Sequence, residues 1–165
     1  MVITVVVLDA CILISLAQVN RFNVLSNLTD FNFVTTEHVL REITDEQQLK
    51  EVLGQVEART LEVIRLVDPA TMHLYFQLKD RIGSGEASCI AIASKNNWMV
   101  CSDDQRKVPG IAGNLLSLGA LIRFDDLLRI AQAQGIISNI EISEIQAELI
   151  KISRMRLSDR NTEEP

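Results

Sequence analysis

The chain has 165 residues, 47% hydrophobic and 23% charged, the proportions of one ordinary globular domain with a single core. That composition excludes a disordered or collagen-like chain. Lys and Arg number 16 against 22 Asp and Glu, a formal charge of −6, and no basic stripe runs along the sequence. A nucleic-acid partner would therefore have to be held by local geometry or through a metal ion. At 4% the aromatic residues are too few for a base-stacking platform.

The three cysteines, Cys11, Cys89 and Cys101, lie in apolar runs without close spacing. They read as buried thiols in a reducing cytoplasm, neither a disulfide framework nor a zinc site. The first nineteen residues are apolar enough to resemble a leader or membrane anchor. They lack a basic start, however, and Asp9 falls in their middle, costing roughly 2.5–3.5 kcal/mol for insertion. The expectation is a cytoplasmic chain without a membrane segment.

Residues 2–8, Val-Ile-Thr-Val-Val-Val-Leu, are apolar on both faces and predict a strand buried on both sides, as in a parallel sheet covered by helices. Residues 11–28 read as helix, broken near Asn20. A short strand at 32–35 follows, then a helix capped by Thr35 or Thr36 that runs to about residue 46. A longer polar helix covers roughly 46–60 and a strand covers 61–67, ended by Asp68-Pro69. A helix over about 70–82 leads to the break Gly83-Ser84-Gly85. Residues 85–96 form a nearly all-apolar, hence buried, helix. Strands follow at 98–101 and 120–122. A helix over about 125–134 with Gly135 as its C-cap and a final amphipathic helix over about 141–155 complete the pattern. Strands alternating with helices predict a three-layer α/β/α domain around a central, mainly parallel sheet, spanning residues 1–157. Residues 158–165 read as a polar, frayed tail. The apolar stripe Ile142, Ile145, Leu149 and Ile152 would close the core or form a dimer.

The acids fall in a telling pattern. Asp9 follows one buried strand directly, and Asp103 and Asp104 follow another after a single serine. Ligands of open parallel sheets bind at the carboxyl ends of strands, so both strands aim carboxylates at one place. Glu42 stands at the edge of the stripe Val39, Leu40 and Ile43, and Glu86 opens the most buried helix. Such anions repel one another unless a divalent cation lies between them. Each also has an ordinary reading: Asp9 as a helix cap, Asp103-Asp104 as a turn or cap, Glu86 as a macrodipole partner and Glu42 as a solvated helix residue. The joint placement favours the site.

Other motifs are weaker. Glu37 and Arg41 form an ordinary surface pair. Gly83-Ser84-Gly85 lacks the ending of a phosphate loop. His38 and His73 have no partner spacing, and no histidine accompanies Ser84 or Ser102 as a serine hydrolase requires. An aspartyl-nucleophile phosphatase needs an acid at position 11, where Cys stands.

Val6 to Ile14, with Asp9 at its centre, resembles the opening of PIN-domain nucleases. Glu42 in His-Val-Leu-Arg-Glu-Ile is similar to the family's helix-borne glutamate. Gly85-Glu86-Ala87-Ser88-Cys89-Ile90-Ala91-Ile92-Ala93 resembles the third acidic motif in the Gly-Glu-Ala form that one branch of the VapC-like toxin nucleases uses in place of the commoner aspartate, and Val100 to Asp104 resembles the fourth. Leu127-Leu128-Arg129, Gly135-Ile136-Ile137 and Met155-Arg156-Leu157-Ser158 extend the likeness over residues 2–158. The chain departs from that branch in Gln105-Arg106-Lys107-Val108-Pro109-Gly110, where a Gly- and Arg-rich stretch is usual, and in Arg123-Phe124, where Gly-Thr is usual.

The resemblance implies an endoribonuclease that uses Mg²⁺ or Mn²⁺ on RNA, the toxin of a toxin–antitoxin pair, with an antitoxin partner and a homodimeric state. Asp9 and Asp104 would be direct metal ligands, and Glu86 and Asp103 direct or water-mediated ones. Glu42 would orient or deprotonate the attacking water. Ser102, Arg106, Lys107 and Arg123 would hold the RNA. The alternative is a catalytically silent PIN-like module that binds an antitoxin-like partner.

Overall fold

The computed structural model describes residues 2–162, with side chains described through residue 156. Five parallel strands form one sheet: β1 (Thr4–Leu8), β2 (Phe31–Thr36), β3 (Leu61–Ile64), β4 (Met99–Cys101) and β5 (Leu121–Ile122), in the order β3-β2-β1-β4-β5. The central β1 pairs with β2 through Val6↔Phe33 and with β4 through Val6↔Met99. Val6, Val7 and Leu8 have no exposed surface, as expected of an apolar strand with neighbours on both edges and helices over both faces. Helices flank the sheet in the three-layer α/β/α arrangement that the alternating pattern predicts.

The chain leaves β1 toward β2 and β3, then returns across the sheet to lay β4 against the opposite edge of β1. That reversal opens a crevice at the carboxyl ends of β1 and β4. Asp9 and Ser102 are the first residues beyond those ends. The fold therefore places the two acid-bearing strand ends side by side before any side chain is considered.

The helices in chain order are α1 (Ala10–Gln18), α2 (Asn23–Asn27), α3 (Glu37–Glu42), α4 (Glu46–Glu57), α5 (Pro69–Ile82), α6 (Ser84–Asn96), α7 (Val108–Leu115), α8 (Phe124–Ala133) and α9 (Asn139–Thr162). Asn20, at φ 52°, separates α1 from α2 where the sequence predicts a break. The break after α5 is a single residue, Gly83 at φ 98°, so Ser84 and Gly85 already belong to α6. Only a residue without Cβ holds such a φ at no steric cost.

Helix α7 is absent from the sequence-based assignment, because Pro109, Gly110 and Gly113 read as breakers. Pro109 stands in the first helical turn, where it has no amide bond to lose. Val108 and Ala112 are buried against α5 and α6 residues including Tyr75, Ile82 and Ile90. Tertiary packing overrides weak local propensity there.

A larger core cluster joins the sheet to α1, α2, α4, α8 and α9. In α9, Ile145 is buried, and Ile142 and Leu149 pack partly buried on the core. Much of the apolar stripe of the last helix thus closes this domain. The helical backbone runs to Thr162, into the segment read as a polar tail, whose residues 163–165 lie outside the described residues. Among the described residues no helix is long and apolar enough to cross a membrane.

Ile90 has no exposed surface and belongs to the cluster that fixes α6. Ile90→Ala is expected to lower unfolding free energy by about 2–5 kcal/mol, the range for buried aliphatic truncation. Urea unfolding followed by circular dichroism measures it.

Candidate metal centre

Asp9 is 2% exposed and stands at the N-terminus of α1. Three donors hold its carboxylate: Ala10 N–H reaches Oδ1 at 2.7 Å, Ser102 Oγ–H reaches Oδ2 at 2.9 Å, and the Cys11 thiol points to Oδ2 at 3.4 Å. The helix-cap reading of Asp9 and the site reading are therefore both realised. Burial nevertheless dominates and raises the Asp9 pKa above the usual carboxylate value. Cys11 in turn accepts the Asp103 N–H at 3.4 Å, tying the end of β4 to the end of β1. Burial, then the Asp9 charge, pushes the Cys11 thiol up to about 12, so it remains a protonated donor.

Glu42 ends α3 and Glu86 lies in the first turn of α6. Gly85 N–H donates to Glu42 Oε1 at 2.6 Å. A Cβ at Gly85 would stand 2.7 Å from Glu42 Cδ and within impossible contact of Oε2. Glycine is required at 85 because a carboxylate occupies the space a side chain would fill. The two helices are locked by a buried relay. Ser88 Oγ–H donates to Gly85 O at 2.7 Å, and Thr36 Oγ1–H donates to Ser88 Oγ at 2.6 Å, since the single Ser88 proton is already committed. Thr36 Oγ1 also caps α3 by accepting Val39 N–H at 3.2 Å. Beside it, Tyr75 OH and Ser84 Oγ are 2.8 Å apart and each lies 3.3 Å from His38 Nδ1.

As a result, single carboxylate oxygens of Asp9, Glu42 and Glu86 lie within 4.8 Å of one another. Among the described residues no Lys or Arg pairs with any of them. Burial, then the charge of Asp9, pushes the Glu86 pKa up to about 7, and burial also raises that of Glu42. Three converging hard oxygen donors with unrelieved repulsion fit a divalent cation such as Mg²⁺ or Mn²⁺.

Asp103 and Asp104 do not join this trio. Asp103 Oδ1 accepts Phe124 N–H at 2.9 Å at the start of α8. Asp104 Oδ1 accepts the N–H groups of Arg106 at 2.7 Å and Lys107 at 3.0 Å, which lower its pKa. Both acids thus serve backbone capping, yet both line the same cleft of about 520 Å³ as Asp9, Glu86, Gln105 and Arg106. Ser102, expected at the substrate, is 2% exposed, and its hydroxyl is engaged with Asp9 and the Asp104 N–H. It positions Asp9. Lys107 is exposed at the turn, and Arg123 lies in the adjoining groove with Asp103, Gln105 and Phe124.

Over residues 5–164 the chain matches the family model of the PIN domain. The chain belongs to the PIN-domain family. PIN domains are generally nucleases and typically use divalent metals, in agreement with the acidic trio of this one. No curated protein matches this PIN domain.

Of the residues that support this PIN domain's site, Thr36 is one of the two caps that the sequence offers for α3, whereas Cys11 and Ser88 carry no acid and no separate signal in sequence. The short Gly-Glu spacing was the one hint for Gly85.

Two outcomes test the centre. With a Glu86 pKa near 7 against an ordinary value of 4.5, the folded protein binds more protons than the unfolded chain between those values. Stability of the metal-free protein therefore falls as pH rises from about 4.5 through 7. Melting temperature should be higher at pH 5.5 than at pH 8, and millimolar Mn²⁺ should remove most of that difference. Gly85→Ala should push α3 and the first turn of α6 apart, moving Glu42 and Glu86 out of register with Asp9, and weaken Mn²⁺ binding by about 10–100-fold, the usual effect of a lost ligand support, as read by calorimetry.

Proposed function

We propose that the protein is a Mg²⁺- or Mn²⁺-dependent endoribonuclease that hydrolyses RNA phosphodiester bonds. The observation that carries this reading is the unpaired trio Asp9, Glu42 and Glu86 at the switch point of a PIN-domain sheet. A bound divalent cation supplies Lewis acidity and charge neutralisation at a phosphodiester. Asp9 and Glu86 would hold that cation, with Asp104 on the rim of the same cleft.

Glu42 is assigned a different task. The Gly85 N–H fixes its Oε1 and leaves Oε2 to accept a proton from an attacking water. Its raised pKa suits that transfer better than an ordinary surface carboxylate does. Ser102 and Cys11 keep Asp9 oriented, and their donated hydrogen bonds stabilise its ionised form. Arg106 lies in the cleft beside the acids, where it can hold the substrate phosphate; Lys107 and Arg123 stand on its approaches.

The Gly85-Glu86-Ala87 motif supports a place in the VapC-like branch, and with it the role of a toxin with a cognate antitoxin and a cytoplasmic homodimer. Exposed Met72 and Phe76 on α5 offer apolar surface for such a partner.

Asp9→Asn should abolish both Mn²⁺ binding by calorimetry and cleavage of single-stranded RNA, with the circular-dichroism spectrum unchanged. Cleavage at the wild-type rate by a folded Asp9→Asn protein would sink the proposal. Loss of metal binding by both proteins would favour a silent interaction module.

A further inference from the structure

Three clefts on this face adjoin one another through shared lining residues. The acidic one contains Asp103 and Gln105 beside Asp9 and Glu86. A second shares Asp103 and Gln105 and adds Arg123, Gln146 and Leu149. A third shares Asp103 and Leu149 and adds Ser15, Gln18, Ser153 and Arg156. Together they form one groove from the trio, past the N-terminus of α8, to the second half of α9.

We infer that this groove is the track of the RNA strand and that Arg156 and Arg123 are its phosphate contacts beyond the reacting bond. The inference rests on the nuclease reading and deepens it. Among the described residues neither arginine forms an ion pair, so both charges are open to a phosphate, and what sets them apart from the chain's other unpaired cations is their place in this groove. Residues 151–156 hold three cations, Lys151, Arg154 and Arg156, and no acid. It is a local excess of positive charge in a chain of net charge −6. The macrodipole of α9 does not explain the cluster, because α9 continues to Thr162 and such effects fade within the last turn.

The polar part of the lining suits a sugar-phosphate backbone, beside Asp125, which accepts from Gln146, and the aliphatic Leu149, Ile150 and Ile152. Ser15, Gln18, Gln105 and Ser153 offer donors and acceptors. Among these lining residues only Phe124 is aromatic, and it is 3% exposed, so base stacking contributes little and the contacts go to phosphate and ribose. Asp103 stands where the three clefts meet. Its carboxylate repels a phosphate and accepts from a ribose hydroxyl, so a sugar passes there with phosphates on the arginines.

The test is fluorescence anisotropy of a labelled single-stranded oligoribonucleotide of mixed sequence, with Ca²⁺ filling the acidic centre, over a range of salt. Arg156→Ala and Arg123→Ala are each expected to weaken binding about tenfold, as for a lost charge-assisted contact. Each should also reduce the slope of log affinity against log salt by about 0.7, the loss of one phosphate contact. Lys50→Ala, in the separate groove between α2 and α4, should change neither. Mn²⁺ calorimetry on all three variants should match the wild type, which separates failure of the track from failure of the metal centre. Wild-type affinity and slope in both arginine variants would overturn the inference while leaving the nuclease reading standing. Equal weakening by Lys50→Ala would overturn it in favour of diffuse charge attraction. Absence of RNA binding by a wild type that binds Mn²⁺ would overturn it as well.

Discussion

The structure depends on holding like charges together in a poorly solvated place. Asp9 is 2% exposed at the end of a strand whose last three residues, Val6, Val7 and Leu8, have no exposed surface, and Glu42 and Glu86 bring further oxygens within 4.8 Å. Carboxylates so arranged raise one another's pKa and destabilise the metal-free fold. The protein tolerates this because the surrounding polar groups are committed: Ala10 N–H, Ser102 and Cys11 to Asp9, and Gly85 N–H to Glu42. No buried side-chain N or O atom among the described residues lacks a hydrogen-bond partner. Strain of this kind, concentrated at one place in an otherwise satisfied structure, is the signature of a functional site.

The supporting relay shows how the fold turns two helices into one rigid bracket. Thr36 closes β2, caps α3 and donates to Ser88, and Ser88 fixes the carbonyl of Gly85. The amide of the same Gly85 then grips Glu42. A single glycine thereby couples the first turn of α6, which carries Glu86, to the last residue of α3. Fixing both acids on helix ends packed against a parallel sheet gives more precise placement than surface loops would. Asp103 and Asp104 lie on a loop and are held instead by backbone caps, which accounts for their place at the rim.

Electrostatics across the chain follows the same division of labour. An acidic protein repels a polyanion at long range, and screening limits that repulsion to about a Debye length of ~10 Å at ordinary salt. On the proposed track the arginines of the groove would act within that distance, and a few cations along one track would leave unneutralised the acids at its end.

By itself the sequence determined the layer architecture, since an apolar run such as Val5-Val6-Val7-Leu8 is stable only when covered on both faces. It also placed Asp9, Asp103 and Asp104 just beyond strand ends and Glu86 in a first helical turn, whereas Glu42, read inside a helix running to about residue 46, is the last residue of α3. Helix α7 stayed hidden, because Pro109 and two glycines disguise a segment whose helicity comes from burial of Val108 and Ala112. Only the tertiary structure decided which acids converge. The three that meet come from segments 33 and 44 residues apart, and their distances depend on how α3 packs on α6 and β2 and how α6 packs on β1 rather than on any local pattern. The tertiary structure alone likewise drew Ser102 inward to Asp9 and turned Asp103 and Asp104 to backbone amides, because hydrogen-bond donors near a strand end are set by the neighbouring strand and helix, not by sequence spacing.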